Sequence, residues 1–283
     1  HAPRNCSDGN YCTDDTCDEL NDVCAHSPYN CDDGDDCTTD TCNEDSDACE
    51  YVETSHVDVT MAVQGLSGAV TREVTFVLTD CEGTTQTRVV PVSFSGGQGT
   101  ALLADLTPGA DWIQVYEGHT LARRMPLDFG TGCIASVTLT GNAQLTSGDF
   151  SNPPWVPQDD LVDIVDFAIL AIYWNDPVDP NLGSLADATG DGLQNGADFT
   201  LIQMNFADIS DPPDDCGPAP QPGFAEVTQI GQISRPTARL RVSTEVLGVA
   251  DASAADRDGD GFVDVRDIRL FAQQNNLTLL PAF

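Results

Sequence analysis

The sequence predicts a multidomain chain: disulfide-rich N-terminal repeats, an all-β sandwich, then α-helical loop-helix modules. Three observations carry this. Eight of the eleven Cys fall within the first 49 residues and repeat at an interval of 25. Strict alternation of apolar and polar residues then marks a series of short strands. Further on, acidic runs of one repeated spacing each lead into an apolar segment of helical period.

The totals limit the function. The chain has 283 residues, 46 acids against 11 basic residues and a net charge of −35, and every basic residue is Arg. Such a surface repels nucleic acid and anionic membranes, so neither is an expected partner. A hydrophobic fraction of 40% with clear periodicity argues against a disordered acidic chain. The Cys usage points to an oxidising compartment. The chain opens at His1 without an apolar leader, as a mature secreted product would, and no apolar run reaches membrane-spanning length. The expectation is a secreted, cell-surface protein that attaches through partners, with no direct membrane insertion. Asn5-Cys6-Ser7 and Asn276-Leu277-Thr278 match the glycosylation sequon, which marks Asn5 and Asn276 as glycan acceptors.

Residues 1–54 are the first predicted domain. Cys6, Cys12, Cys17 and Cys24 recur as Cys31, Cys37, Cys42 and Cys49, and Cys12-Thr13-Asp14-Asp15-Thr16-Cys17 matches Cys37-Thr38-Thr39-Asp40-Thr41-Cys42. Four Cys per repeat leave no room for an apolar core, so disulfides must supply the order. Two bridges per repeat is the natural expectation, and the spacing does not choose among the connectivities. These units resemble the Cys-Thr-x-Asp-x-Cys repeats of extracellular proteins, which implies a stalk or adhesive module. Fifteen acids lie in the first 50 residues against one Arg.

Residues 55–147 read as an antiparallel sandwich of about seven strands. Val57, Val59, Met61 and Val63 alternate, as do Val74, Phe76 and Leu78, then Val90, Val92 and Phe94, with Ile113, Val115, Val137 and Leu139 after them. Turn clusters such as Gly83-Thr84-Thr85 and Ser95-Gly96-Gly97 separate the runs. The stretch from Leu106 to Val115 resembles the turn and strand of prealbumin-like surface repeats, which implies a bacterial surface sandwich and no chemistry. A Cys81–Cys133 bridge is the economical pairing within the sandwich. Arg123-Arg124 reads as a surface pair on a sandwich edge or an anion contact.

Residues 148–210 switch to loop then helix. Asp187, Thr189, Asp191, Gly192, Leu193, Asn195 and Asp198 fall at positions 1, 3, 5, 6, 7, 9 and 12 of a twelve-residue loop. Asp256, Asp258, Asp260, Gly261, Phe262, Asp264 and Asp267 repeat that spacing. Ca²⁺ takes six to eight oxygens, and such a loop supplies them, position 7 through its backbone carbonyl and Gly at position 6 through its sharp turn. Asp159, Asp160, Leu161, Asp163 and Asp166 form a third, damaged copy with Asp at position 6. There Trp155 and Pro157 fall where positions 1 and 3 belong, and the insertion Pro153-Pro154-Trp155-Val156 shifts those roles toward Asp149 or Asn152. The segments that follow align at an offset of 32, Phe167 with Phe199 and Trp174 with Phe206, with apolar residues on one helical face.

The Pro-rich stretch 211–223 reads as a linker, and 224–283 as a third loop-helix module with an apolar tail. Ser234 to Leu247 reads as a helix with Leu240, Val242 and Val246 inward. The tail from Leu277 to Phe283 has no obvious cover and suggests docking, on its own body or on a neighbour. Cys216 is the odd Cys and is free or intermolecular.

The duplicated loop-helix resembles dockerin type I modules of secreted bacterial proteins, over roughly residues 148–207 and 256–274. The resemblance implies EF-hand-type loops that fold around Ca²⁺ and act as an assembly device, against a cohesin sandwich or a neighbouring module. Two loops are complete Ca²⁺ sites by this reading, and the first stays open between a third site and none. The residues Asp8, Asn10, Asp15, Asp33, Asp35 and Asp40 stay open between Ca²⁺ ligation and turn-making. With four His and no His-Glu-x-x-His, nucleophile elbow or phosphate loop, the chain is read as no enzyme. The expected function is a calcium-stabilised extracellular structural protein, a surface or fibre subunit that assembles with itself or with another extracellular protein. The alternatives are a plug for a cohesin-type partner and a carbohydrate-binding accessory protein.

Overall fold

The computed structural model describes residues 5–18, 20, 21, 23–151, 158–176, 186–212, 239–245, 247 and 252–281. Two compact units result. One holds residues 1–57, 103–109 and 129–135, the other residues 58–102, 110–128 and 136–283.

The first unit is built on two hairpins. β1 (Thr13–Asp18) pairs with β2 (Val23–Pro28), and β3 (Thr38–Asn43) with β4 (Ala48–Glu53). The internal repeat is a structural one: Cys17 faces Cys24 as Cys42 faces Cys49. The turns before β1 and β3 also match. Asp8 N donates to Asp15 Oδ2 at 3.0 Å, and Asp33 N to Asp40 Oδ2 at 2.9 Å.

Two bridges within each repeat were the expectation, and the structure corrects it. Cys31–Cys49 closes the second repeat, but Cys12 joins Cys42 across the repeats, and Cys37 joins Cys133. Cys6 touches both Cys17 and Cys24. One sulfur carries one disulfide, and the repeat selects Cys6–Cys24, which has the same separation of 18 as Cys31–Cys49. The expected Cys81–Cys133 bridge is excluded because Cys37 takes Cys133, and Cys81 is itself disulfide-bonded. Crossing bridges close longer loops than local ones and so restrict the unfolded chain more.

The chain is mostly β. A seven-stranded, sandwich-like sheet contains β5 (Ser55–Ala62), β6 (Ala69–Thr79), β7 (Thr85–Ser95), β8 (Gln98–Leu106), β9 (Trp112–Glu117), β10 (Arg123–Pro126) and β11 (Ile134–Leu139). Its order is β10-β9-β6-β7-β8-β5-β11. The alternation read from sequence is the burial pattern: Val57, Val59 and Met61 are buried, as are Val74, Phe76 and Leu78. Gly96 and Gly97, both at positive φ, let β7 turn into β8. β10 is an edge strand, but Arg124 is buried rather than a surface residue. Its guanidinium lies 4.2 Å from the centroid of the Trp112 ring.

Among the described residues three α-helices follow: α1 (Ile164–Ile172), α2 (Gly196–Asn205) and α3 (Val265–Gln274). α1 is the centre of the helical core and is buried from Ile164 to Ala171. α3 contributes only one stripe, with Ile268, Phe271 and Ala272 inward. Phe271 meets Phe167 at 5.3 Å, Trp174 at 4.6 Å and Phe199 at 5.9 Å between ring centroids. All three helices therefore meet at one ring. Phe271→Ala should cost about 3–5 kcal/mol, read as a lowered urea midpoint.

Two expectations for the C-terminal third need correction. The part of Ser234–Leu247 that is described is no helix. Arg241–Ser243 is strand β12 and pairs with β13 (Phe262–Asp264), with Val242 opposite Val263. Val242 is buried as expected, but Leu240 points out at 61% exposure. Val246, Cys216 and most of the Pro-rich linker lie outside the described residues. The apolar tail covers its own body: Leu277 and Leu279 pack against the helical core, and Leu280 N donates to Gln203 Oε1 of α2 at 2.8 Å.

Candidate metal centre

Each helix begins in an acidic loop, and the loop and the helix share residues. Positions 9 and 12 are the N-cap and the third residue of the helix. Asp163 with Asp166, Asn195 with Asp198, and Asp264 with Asp267 each form a complete capping box. Helix initiation alone accounts for those two positions. It does not account for the carboxylates at positions 1, 3 and 5.

In the loop before α3, carboxylate oxygens of Asp256, Asp258 and Asp260 lie within 4.8 Å of one another. Asp256 Oδ1 accepts from Gly259 N at 2.8 Å and Oδ2 from Gly261 N at 2.9 Å. Both glycines have positive φ, which turns their N–H groups inward. Asp267 Oδ1 accepts from Arg257 N at 2.7 Å and Oδ2 from Asp264 N at 2.8 Å.

Asp258 N also reaches Asp267 Oδ1, at 3.2 Å, and the loop before α2 repeats this frame apart from the bond of Arg257 N. Asp187 accepts from Gly190 N at 2.8 Å and Gly192 N at 3.0 Å. Asp198 accepts from Thr189 N at 3.0 Å and Asn195 N at 2.9 Å. Asn195 Nδ2 donates to Asp191 Oδ2 at 2.9 Å, so position 9 also reaches position 5. The side chains of Leu193 and Phe262 at position 7 are exposed, which leaves only their carbonyls as donors to the loop interior.

The first loop keeps the same frame. Asp160, at position 6, has φ 63, where Gly192 and Gly261 stand in the other loops. Leu161 at position 7 is buried and bridges to Ile209. Asp166 Oδ2 accepts from Asp163 N at 2.7 Å, and its Oδ1 from Phe150 N at 2.6 Å. Phe150 N thus does what Arg257 N does in the third loop, which makes Asp149 the structural equivalent of Asp256 and Asp187 at position 1. Asp149 is 1% exposed, and its Oδ1 has no hydrogen-bond partner. Trp155, Pro157 and Asn152 lie outside the described residues.

Asp149 was one of two candidates on sequence grounds, and a local signal selects it. Ala186 precedes Asp187, Ala255 precedes Asp256, and Gly148 precedes Asp149. Ala186 and Ala255 are fully buried, and a Cβ on Gly148 would meet Val162 at 3.2 Å, so the position before the first acid tolerates only a small residue.

Burial shapes the electrostatics. Desolvation pushes Asp149 up to about 8, with Asp160 adding to the shift. It raises Asp166 well above the ordinary carboxylate range, with Asp149 adding, and it raises Asp163 as well. Asp198 is pushed up to about 6, chiefly by burial. A carboxyl whose pKa is raised on folding stabilises the fold while protonated, and that contribution is lost as pH rises through the folded value. In EDTA the protein should therefore lose stability between about pH 4 and pH 8. The gap between about 6 and the ordinary 3.8 at Asp198 is alone worth about 3 kcal/mol. Melting in EDTA across that range checks this, and a melting temperature that rises from pH 5 to pH 8 would contradict it.

The loop before α2 is also held from outside. Arg72 on β6 donates through Nη2 to the carbonyls of Asp187 at 2.7 Å and Ala188 at 3.1 Å. Its Nη1 pairs with Glu117 at 3.1 Å, and His119 Nδ1 sits 2.8 Å from the other Glu117 oxygen. All three side chains are buried. Burial alone would raise Glu117, but His119 and Arg72 outweigh it and hold the carboxyl below its ordinary value. Ser67 N adds a bond to Thr189 O at 3.1 Å. Nothing in the sequence pointed to Arg72.

In the N-terminal repeats the acids are engaged in turns. Asp8 Oδ1 accepts from Asn10 N, and Asp33 Oδ1 from Asp35 N, both at 2.8 Å. His26 Nδ1 lies 2.6 Å from Asp15 and 3.5 Å from Asp8, and the Asp15 bond raises the His26 pKa.

The donors in the three helical loops are all oxygens, from Asp, Asn, Thr and backbone carbonyls. That set fits a hard divalent cation and Ca²⁺ in particular, and it does not suit thiophilic or imidazole-seeking metals. The orphaned, buried Oδ1 of Asp149 fits the same group.

No family model and no curated protein matches the chain. Among solved structures it is similar to a chain of two type II cohesin-X-dockerin complexes from Acetivibrio cellulolyticus, one a C-terminal and one an N-terminal interface mutant. Each match has 16% identity over 55% of this chain and 97% of that one, with a TM-score of 0.42. A weaker likeness is to the major pilin subunit of Bacillus cereus, BcpA*(D312A): 12% identity, 42% of this chain, 34% of the other, TM-score 0.19. At such values the likeness says nothing of function. The disulfides point to an oxidising, extracellular setting, and among the described residues no helix is long and apolar enough to cross a membrane.

Proposed function

We propose that this chain is a non-enzymatic, calcium-stabilised structural module of an extracellular assembly. The observation that carries it is the recurrence of one bonding frame in three loops, with acids at position 1 set by two inward N–H groups in the second and third. Asp187, Thr189, Asp191, Leu193, Asn195 and Asp198 would hold one Ca²⁺. Asp256, Asp258, Asp260, Phe262, Asp264 and Asp267 would hold another. Asp149, Asp159, Leu161, Asp163 and Asp166 would form the third. Bound Ca²⁺ would offset part of the −35 charge and fix the loops that start all three helices.

The structural reading is preferred over a plug for a cohesin-type partner by the packing of the helices. The apolar faces of α1, α2 and α3 bury one another, and the tail covers part of what remains. A plug would have to offer such a face outward. Assembly with copies of the chain, or with another secreted protein, would then use other surfaces. Electron microscopy and sedimentation of the protein with Ca²⁺ and with EDTA test the proposal. Ordered assemblies that appear in Ca²⁺ and disperse in EDTA are expected. Monodisperse particles in both conditions, joined by tight capture of an isolated cohesin domain, would replace it with the plug.

A further inference from the structure

Two arginines from outside the loops occupy the same two positions in two of them. Arg239 donates through Nε to Asp163 Oδ2 at 2.7 Å and pairs through Nη2 with Asp159. Its backbone N also reaches Asp163 Oδ2, at 2.8 Å. Arg241 donates through Nη2 to Asp260 at 3.1 Å, and its Nε lies 3.7 Å from Asp264. Asp159 and Asp260 are position 5 of the first and third loops; Asp163 and Asp264 are position 9. The middle loop closes the same gap with its own neutral amide, Asn195 to Asp191.

We infer that Arg239-Leu240-Arg241 is an internal cation clip that ties the first loop to the third and competes with Ca²⁺ for both. The inference rests on the reading of these loops as Ca²⁺ sites. A guanidinium and a dication on the same carboxylates repel each other. At Asp260 both oxygens are already engaged, Oδ1 by Phe262 N at 3.0 Å and Oδ2 by Arg241. Ca²⁺ entry therefore has to loosen the arginine. In the same pose the Arg241 guanidinium stacks 3.7 Å from the centroid of the Phe262 ring, a contact that does not depend on Asp260. Because the two arginines are two residues apart, loosening one loop weakens the hold on the other. The first and third sites are thereby coupled, while the middle loop, with no such arginine among the described residues, fills independently. In the chelated protein the clip neutralises carboxylates that would otherwise repel one another.

The test is Ca²⁺ titration calorimetry of the full chain, with melting in EDTA. Arg239→Gln with Arg241→Gln should tighten binding at two of the sites by about fivefold each, the scale of one exposed ion pair, and should lower the melting temperature in EDTA. Arg239→Lys with Arg241→Lys keeps the charges and should stay near the wild-type affinity. Unchanged or weaker Ca²⁺ binding in the Gln variant would overturn the clip and make the arginines bystanders or outer supports. Absence of Ca²⁺ binding in the wild type would instead overturn the reading of the loops, and the clip with it.

Discussion

Millimolar Ca²⁺ added to the chelated protein should stabilise it by roughly 8 kcal/mol, the largest effect expected for any single change of condition. A ligand that binds only the folded state contributes about 4 kcal/mol per site at a thousandfold excess over its dissociation constant. Micromolar affinity is ordinary for loops of this type, so 1 mM Ca²⁺ supplies about that excess. The second and third loops carry an oxygen-bearing side chain at positions 1, 3, 5, 9 and 12, which gives two such contributions, the third reduced by the Arg241 contact; the first adds a smaller one, because Arg239 pairs there with Asp159 and Asp163 and the regular spacing is broken at positions 1 and 3. The gain should appear in the helical signal, because positions 9 and 12 of each loop are also the N-cap and third residue of a helix. Urea unfolding followed by far-ultraviolet circular dichroism, in EDTA and in Ca²⁺, measures it. Coincident curves would remove the basis of the proposed function.

The periodic features of this fold were legible in the sequence, and the features that depend on long-range partners were not. Alternation along β5, β6 and β7 became burial because a strand has two faces whatever its neighbours are. The helical faces after Asp166, Asp198 and Asp267 were legible for the same reason, since capping and period are local. The likeness of the two repeats followed from the 25-residue period, but their hairpins and their bridges did not. Cys12–Cys42 and Cys37–Cys133 depend on which strands meet in space, and spacing holds no information on that. Ser234–Leu247 misled because its apolar residues fit a helical face, while pairing of Val242 with Val263 makes Arg241–Ser243 a strand. Asp149 was obscured by the insertion in the first loop, which breaks the count between positions 1 and 5. The small residue before it was the surviving mark.

Arg72→Met should destabilise the protein by about 3–5 kcal/mol and weaken Ca²⁺ at one site, although the residue lies far from every loop in sequence. The loss has two parts. Glu117 is 2% exposed and would be left with His119 as its ion-pair partner among the described residues, so a buried carboxylate would lose the permanent guanidinium charge beside it. The carbonyls of Asp187 and Ala188 would lose the donor that holds the first turn of the second loop. A buried ion pair is often replaceable by well-packed apolar residues, while removal of one partner alone is costly. The double variant Arg72→Met with Glu117→Leu should therefore regain most of the stability. It should not regain the Ca²⁺ affinity of the second loop, because neither new side chain can donate to the Asp187 and Ala188 carbonyls. Unfolding measurements and calcium titration on the single and double variants separate the two roles. Recovery of both properties in the double variant would mean that Arg72 serves the charge balance of the sheet alone. Recovery of stability without affinity would mark it as the strut by which the sheet holds a calcium loop in shape.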